Sequence, residues 1–217
     1  MGVPLAFQSS LIAISCVALQ SVVNTFGSVV VAAFTATSRI EQLVQQPYNS
    51  LGMSVSTYTG QNIGAGQLER VKKGYRIAFL LMAVFSFTML PLAQFFGNPI
   101  MRLFVSEPEV SEMGAHALKL TSWFYLPLGM IYITRGLLNG AGDATFAFMN
   151  GIIEMMGRIC FAKPLTLIPQ VGVWGVWLAT AFTWLLTGVL TFLRYLQGKW
   201  KKHVTPKETG QEELVEV

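Results

Sequence analysis

Charged residues are almost missing from six stretches of this chain, and that spacing limits what it can fold into more than any other feature. The stretches cover about residues 4–26, 29–58, 75–96, 115–138, 144–168 and 173–196. A helix that crosses a bilayer needs about 20 mostly apolar residues, and each block is long enough. Only 12% of the 217 residues are charged, about half the share expected of a soluble domain. So few charges could not coat a water-facing surface. The sequence therefore predicts an all-α, polytopic membrane protein with six transmembrane helices. Residues 197–217 follow as a polar cytoplasmic tail.

The formal net charge of +4 does not point to nucleic acid, because the basic residues cluster between the blocks instead of spreading over a surface. Arg70, Lys72, Lys73 and Arg76 follow the second block, and Arg194, Lys199, Lys201, Lys202 and Lys207 follow the sixth. An even number of spans separates these clusters, so they share a side, and Arg135 near the end of the fourth block joins them. The other side carries Arg102, Lys119 and Lys163, a ratio of ten to three. The positive-inside rule then places the basic clusters and both ends of the segment in the cytoplasm. The first block has no basic residues before it and contains Gln8, Gln20 and Asn24, so it reads as a span and not as a cleaved signal. Without an organelle-targeting segment, a bacterial inner membrane is expected.

Cys16 and Cys160 both lie in apolar stretches, and the only histidines are His116 and His203. That supply offers neither a disulfide framework nor a metal site. No cofactor and no enzymatic nucleophile–base pair are expected. The glycine-rich segments at 60–66 and 139–143 lack the spacing of a phosphate loop and read as tight turns between helix ends.

Four charges violate the pattern. Arg39 and Glu41 lie within the second block, Glu154 and Arg158 within the fifth. Facing lipid near mid-bilayer, each would cost roughly 2.5–3.5 kcal/mol, so all four are expected to face the bundle interior. Counting from the outer helix ends puts them at similar depth, which predicts one buried cluster of Arg39, Glu41, Glu154 and Arg158. Such a cluster either locks helices together or relays a proton or cation. The second block also bears polar residues at helical spacing, among them Gln42, Gln45, Gln46 and Asn49. They either bond to neighbouring helices or line a water-filled cavity. Gln20 and Asn24 on the first block and Tyr132 on the fourth are candidates for the same lining. Pro47 and Pro164 are expected to kink or interrupt their helices. Trp174, Trp177 and Trp200 read as interface belt residues.

Four segments together resemble one family: GVPLAFQSS at 2–10, FTATSRIEQLVQQPYNSLGMSVSTYTGQNIGAG at 34–66, RGLLNGAGDAT at 135–145 and GVWGVWLAT at 172–180. They are similar to the second half of multidrug and toxic compound extrusion (MATE) transporters. The resemblance implies one six-helix lobe of a twelve-helix antiporter that exports organic cations against H+ or Na+ by alternating access. Its implied partners are the lipid bilayer, a small cationic substrate, the coupling ion, and a missing N-terminal lobe or a second copy. A lipid-linked oligosaccharide flippase of the same superfamily, or a non-transporting membrane subunit, would share the pattern. The first span holds no acid and the fourth none between Ser122 and Gly140. The carboxylate pair that many sodium-coupled members place there is therefore absent.

Overall fold

The computed structural model describes residues 2–203, without the side chains of 2–5, 144, 145, 147, 202 and 203. It contains seven α-helices: α1 (Gly2–Val23), α2 (Ser28–Gly64), α3 (Leu68–Arg102), α4 (Pro108–Ser122), α5 (Tyr125–Gly140), α6 (Ala144–Leu167) and α7 (Gly175–Leu196). Short 3-10 turns cover Asn24–Phe26, Gly172–Trp174 and Lys199–His203. No strand occurs among the described residues. The expected tail beyond His203 lies outside them.

The seventh helix arises because the fourth apolar block is broken. Pro127 has no N–H to give, and its ring would collide with the carbonyl four residues back, at Trp123. The α4 helix ends at Ser122, and α5 starts at Tyr125, with Leu128 N donating to Phe124 O at 3.0 Å. Pro47 and Pro164, where interruptions were expected, lie inside α2 and α6, and both helices continue through them. The 37 residues of α2 and 35 of α3 extend to about 55 and 52 Å at 1.5 Å per residue, well beyond a hydrocarbon core of about 30 Å. By length and composition, Ala6–Phe26, Leu68–Arg102 and Gly172–Leu196 suffice to cross a membrane. The others are interrupted by the 122–125 break or diluted by the charges and amides of α2 and α6.

The two glycine turns have one construction. Gly66 and Gly142 adopt φ of +67° and +83°, where a Cβ would be strained. Around them Gln67 N donates to Asn62 O at 2.7 Å and Asp143 N to Leu138 O at 3.0 Å, with Gly66 N and Gly142 N bonding to Ile63 O and Asn139 O. These paired bonds satisfy the last carbonyls of α2 and α5 as Schellman motifs. Asp143 then caps α6 by accepting from Phe146 N at 3.2 Å. Arg194 of α7 donates to both carboxylate oxygens, at 2.8 and 3.0 Å. That pairing fixes the end of α7 beside the start of α6.

In packing order, α1 lies on α6, α6 on α7, α7 on α5 and α5 on α2, while α3 and α4 pack outside α2 and α5. Contact between α1 and α2 is slight, so an opening remains between them, backed by α5, α6 and α7. The α2 and α5 backbones approach very closely along one seam. A Cβ built on Gly136 would sit 2.2 Å from Gly52 O, and one on Gly140 would sit 2.2 Å from Ser56 O. Small residues at four-residue spacing let these backbones touch. Trp177 and Trp200 are fully buried, not belt residues. The Trp177 indole donates to Thr37 Oγ1 at 3.1 Å, which supplies the partner its buried N–H requires.

Candidate functional site

The opening between α1 and α2 is a cavity of about 340 Å³ whose wall includes Gln20, Glu41, Gln42, Gln45, Tyr132, Arg135, Glu154, Arg158 and Trp184. That volume falls in the range of small-molecule sites. A second hollow of about 240 Å³ continues from it past Gln46 and Asn49, sharing Gln42, Gln45, Tyr132 and Arg135. Asn24 lies on neither wall; it is exposed and accepts from Gln20 Nε2 at 3.0 Å.

The four-membered charge cluster does not form. Glu41, Glu154 and Arg158 do border one cavity, but Arg39 is exposed and borders none of its wall. The reason is azimuth. Residues two apart on a helix do not face the same way, so burying Glu41 turns Arg39 outward. The fourth member is Arg135 of α5, which the loop count assigned to a cytoplasmic cluster. Its Nη1 donates to Glu154 Oε1 at 3.1 Å, making the one ion pair in the cavity among the described residues. A sequence signal for this existed, because Arg135 precedes the end of its helix at Gly140 by more than a turn.

Glu154 is the centre of a buried polar chain. Asn150 Nδ2 donates to the same Oε1 at 3.2 Å, and Thr191 Oγ1 of α7 donates to Asn150 Oδ1 at 3.1 Å. Arg135 also lies over the Tyr132 ring, 4.9 Å from its centroid, a cation–π geometry. The Tyr132 hydroxyl donates to Gln45 Oε1 at 2.9 Å and so ties α5 to α2. Arg158 donates through Nη1 to Ser15 Oγ at 3.0 Å and to Cys16 Sγ at 2.7 Å on α1. Glu41 is buried, and its Oε1 has no hydrogen-bond partner. No group of three or more His, Cys, Asp and Glu side chains placed to hold a metal occurs among the described residues.

The helices enclose a polar, charge-lined cleft, and comparison with known families shows which proteins share this fold. The MatE family model matches residues 4–162. The chain belongs to the MatE family. The "Probable multidrug resistance protein YpnP" of Bacillus subtilis is 28% identical over 203 residues, which cover 93% of this chain but 45% of that protein. Two solved structures of a MATE transporter of the MOP superfamily match the fold. The outward-facing one gives a TM-score of 0.84 at 22% identity, and the inward-facing one 0.82 at 21%. Each match covers 93% of this chain and 46% or 47% of the other. The chain thus spans about half the length of the MatE relatives it matches, and its fold is that of one lobe.

Proposed function

We propose that the chain is the C-terminal lobe of a multidrug efflux antiporter, and that it exports small organic cations by alternating access in exchange for H+ or Na+. In this reading it works only when paired with an N-terminal lobe or a second copy. The observation that supports it most is the exposed polar face of α2. Arg39, Gln42, Gln46 and Asn49 recur at helical spacing and are all exposed in this lobe. Facing lipid near mid-bilayer, Arg39 alone would cost roughly 2.5–3.5 kcal/mol. That face therefore suits water or a second protein surface. The relatives are about twice as long as this chain, which leaves room for that second surface, and YpnP is described as a probable multidrug resistance protein.

The lobe crosses the membrane six times in this account, with α4 and α5 forming one broken span. The basic connections and both ends of the segment lie on the cytoplasmic side of a bacterial inner membrane. The cavity between α1 and α2 would then open toward the partner lobe near the membrane midplane, as rocking-bundle transport requires. Glu41 supplies the carboxyl group that a cationic drug or coupling ion would meet.

The test is resistance to ethidium in a host lacking its own efflux pumps. The chain is expressed alone, with the N-terminal lobe of YpnP, and with that lobe while carrying Glu41→Ala. Resistance is expected only for the unmodified pair. Resistance from the chain alone would contradict the dependence on a second lobe, and a pair indifferent to Glu41→Ala would contradict the role of the cavity.

A further inference from the structure

The exposed face of α4 carries a hollow that plays no part in the cleft. Its volume is about 400 Å³, and Gln94 of α3, His116, Lys119 and Leu120 of α4, and Trp123 and Trp174 line it. The residues at 116, 119, 120 and 123 recur at the spacing of one helix face. The other side of α4 is taken up by α2, where Ala115 and Leu118 share a buried cluster with Ala36 and Ile40. The hollow therefore points away from α2 and from the surface left for a second lobe. Its walls are fixed. Gln94 donates through Nε2 to Lys119 O and Ser122 Oγ, both at 2.8 Å, and the Trp174 ring lies 5.5 Å from that of buried Trp177. The His116 ring lies 6.1 Å from Trp174. Lys119 forms no ion pair among the described residues. No carboxylate lines the hollow, and Glu112, one turn further out on the same face, does not reach its wall.

Depth says what such a hollow would meet. Gln94 lies near the outer end of the apolar stretch of α3, a helix long and apolar enough to cross a membrane. Trp123 is 65% exposed, and tryptophan sits preferentially at the level of lipid headgroups. From Gln94 toward the bilayer centre, α3 presents Pro91, Phe87, Val84 and Leu80, all exposed and all on one helix face by their spacing. A cationic hollow at headgroup level thus continues into an apolar strip at hydrocarbon level. We propose that this hollow binds an anionic phospholipid. The Lys119 ammonium and a His116 ring N–H donate to its phosphate, the two indoles flank the glycerol, and one acyl chain lies along the α3 strip. Charge-assisted bonds to phosphate are among the stronger polar contacts. A free phosphate would leave the strip unused, and a zwitterionic headgroup would bring a cation that finds no carboxylate in the wall. Bound there, the lipid bridges α3, α4 and the segment before α7 on the side away from the cleft.

The experiment is photocrosslinking of the full chain in phosphatidylcholine nanodiscs that contain a trace of phosphatidylglycerol with a diazirine close to its glycerol backbone. Adducts are mapped by mass spectrometry of peptides. Adducts are expected on residues 116–123 and around Gln94, competed away by unlabelled phosphatidylglycerol but neither by added phosphatidylcholine nor by inorganic phosphate. Lys119→Gln, a change at an exposed position, should lower the yield there about fivefold, the effect of one basic residue on an anionic lipid. Adducts at the basic connection of Arg70, Lys72 and Lys73, which draws anionic lipid by charge alone, should stay the same in that variant and serve as the internal control for folding. No adduct at the α3–α4 hollow, a yield there indifferent to Lys119→Gln, or a loss that is equal at both places would overturn the proposal. Equal competition by phosphatidylcholine would overturn the preference for an anionic headgroup, and competition by inorganic phosphate would overturn the lipid as occupant.

Discussion

Gly136→Leu is expected to unfold the lobe or leave it too unstable to purify. The α2 and α5 backbones touch along a seam where Gly52 and Ser56 meet Gly136 and Gly140. A Cβ at Gly136 would lie 2.2 Å from a main-chain oxygen, and unlike a side chain, that oxygen has no other rotamer to adopt. The helices must part, which separates the Tyr132–Gln45 bond and opens one cavity wall. Overpacking a well-fitted interface costs about 1–3 kcal/mol in ordinary cases and more where backbone blocks relaxation. A loss of about 3 kcal/mol or more is therefore expected in reversible unfolding by denaturing detergent. Gly64→Ala is the control. Nothing lies within 4 Å of a Cβ there, and alanine is the better helix former, so stability should hold or rise. A Gly136→Leu lobe as stable as the unmodified one would show that α2 and α5 do not approach this closely.

Glu154→Ala is expected to cost about 3–5 kcal/mol, because it strands the Arg135 guanidinium in a largely buried site. Asn150 loses its acceptor in the same step, and with it the link through Thr191 to α7 is loosened. The informative variant is the double replacement Arg135→Met with Glu154→Leu. Removing both partners of a buried pair in favour of apolar side chains is often neutral, so most of the stability should return. If the double variant is no more stable than Glu154→Ala, the two residues are not a pair. Recovered stability without recovered ethidium resistance would assign the pair to function as well as to packing.

Much of the fold can be read from the sequence because hydrophobic length is a one-dimensional quantity. Helix existence and order follow from the apolar blocks, and the turns at Gly66 and Gly142 follow from glycines placed where a helix must stop. The break at 122–125 was also available, since Pro127 forbids the bond to residue 123, yet a proline inside a long apolar run does not say whether the helix bends or ends. Pro47 and Pro164 show the other outcome, with the helix continuing through them. The site was legible only in part, for two separate reasons. Depth along a helix follows from counting, and it grouped Glu41 with Glu154 and Arg158. Azimuth needs a second constraint. The two-residue offset between Arg39 and Glu41 already implied opposite faces, but not which of them faced inward. Arg135 was counted with the cytoplasmic charges because its apolar block ends close by, although it precedes the helix end at Gly140 by more than a turn. Which helix packs on which is a property of the assembled lobe, so the α1–α6 and α2–α5 pairings, and the cleft they leave, had no sequence signal.

In the proposed function, the cleft between α1 and α2 is a water-filled site that holds a small molecule. Cys16 borders that cleft beside Arg158, whereas Cys160 does not border it. Replacing Cys160 with serine leaves Cys16 as the single thiol to be read, since the chain has two cysteines in all. The measurement is the rate at which a charged, membrane-impermeant methanethiosulfonate labels Cys16 in the purified Cys160→Ser chain in nanodiscs, with and without ethidium. Labelling from water is expected, and it slows as ethidium saturates the cavity. A Cys16 that is inert to the charged reagent yet reacts with a lipid-soluble maleimide, or one whose labelling rate ignores the dye, would contradict it.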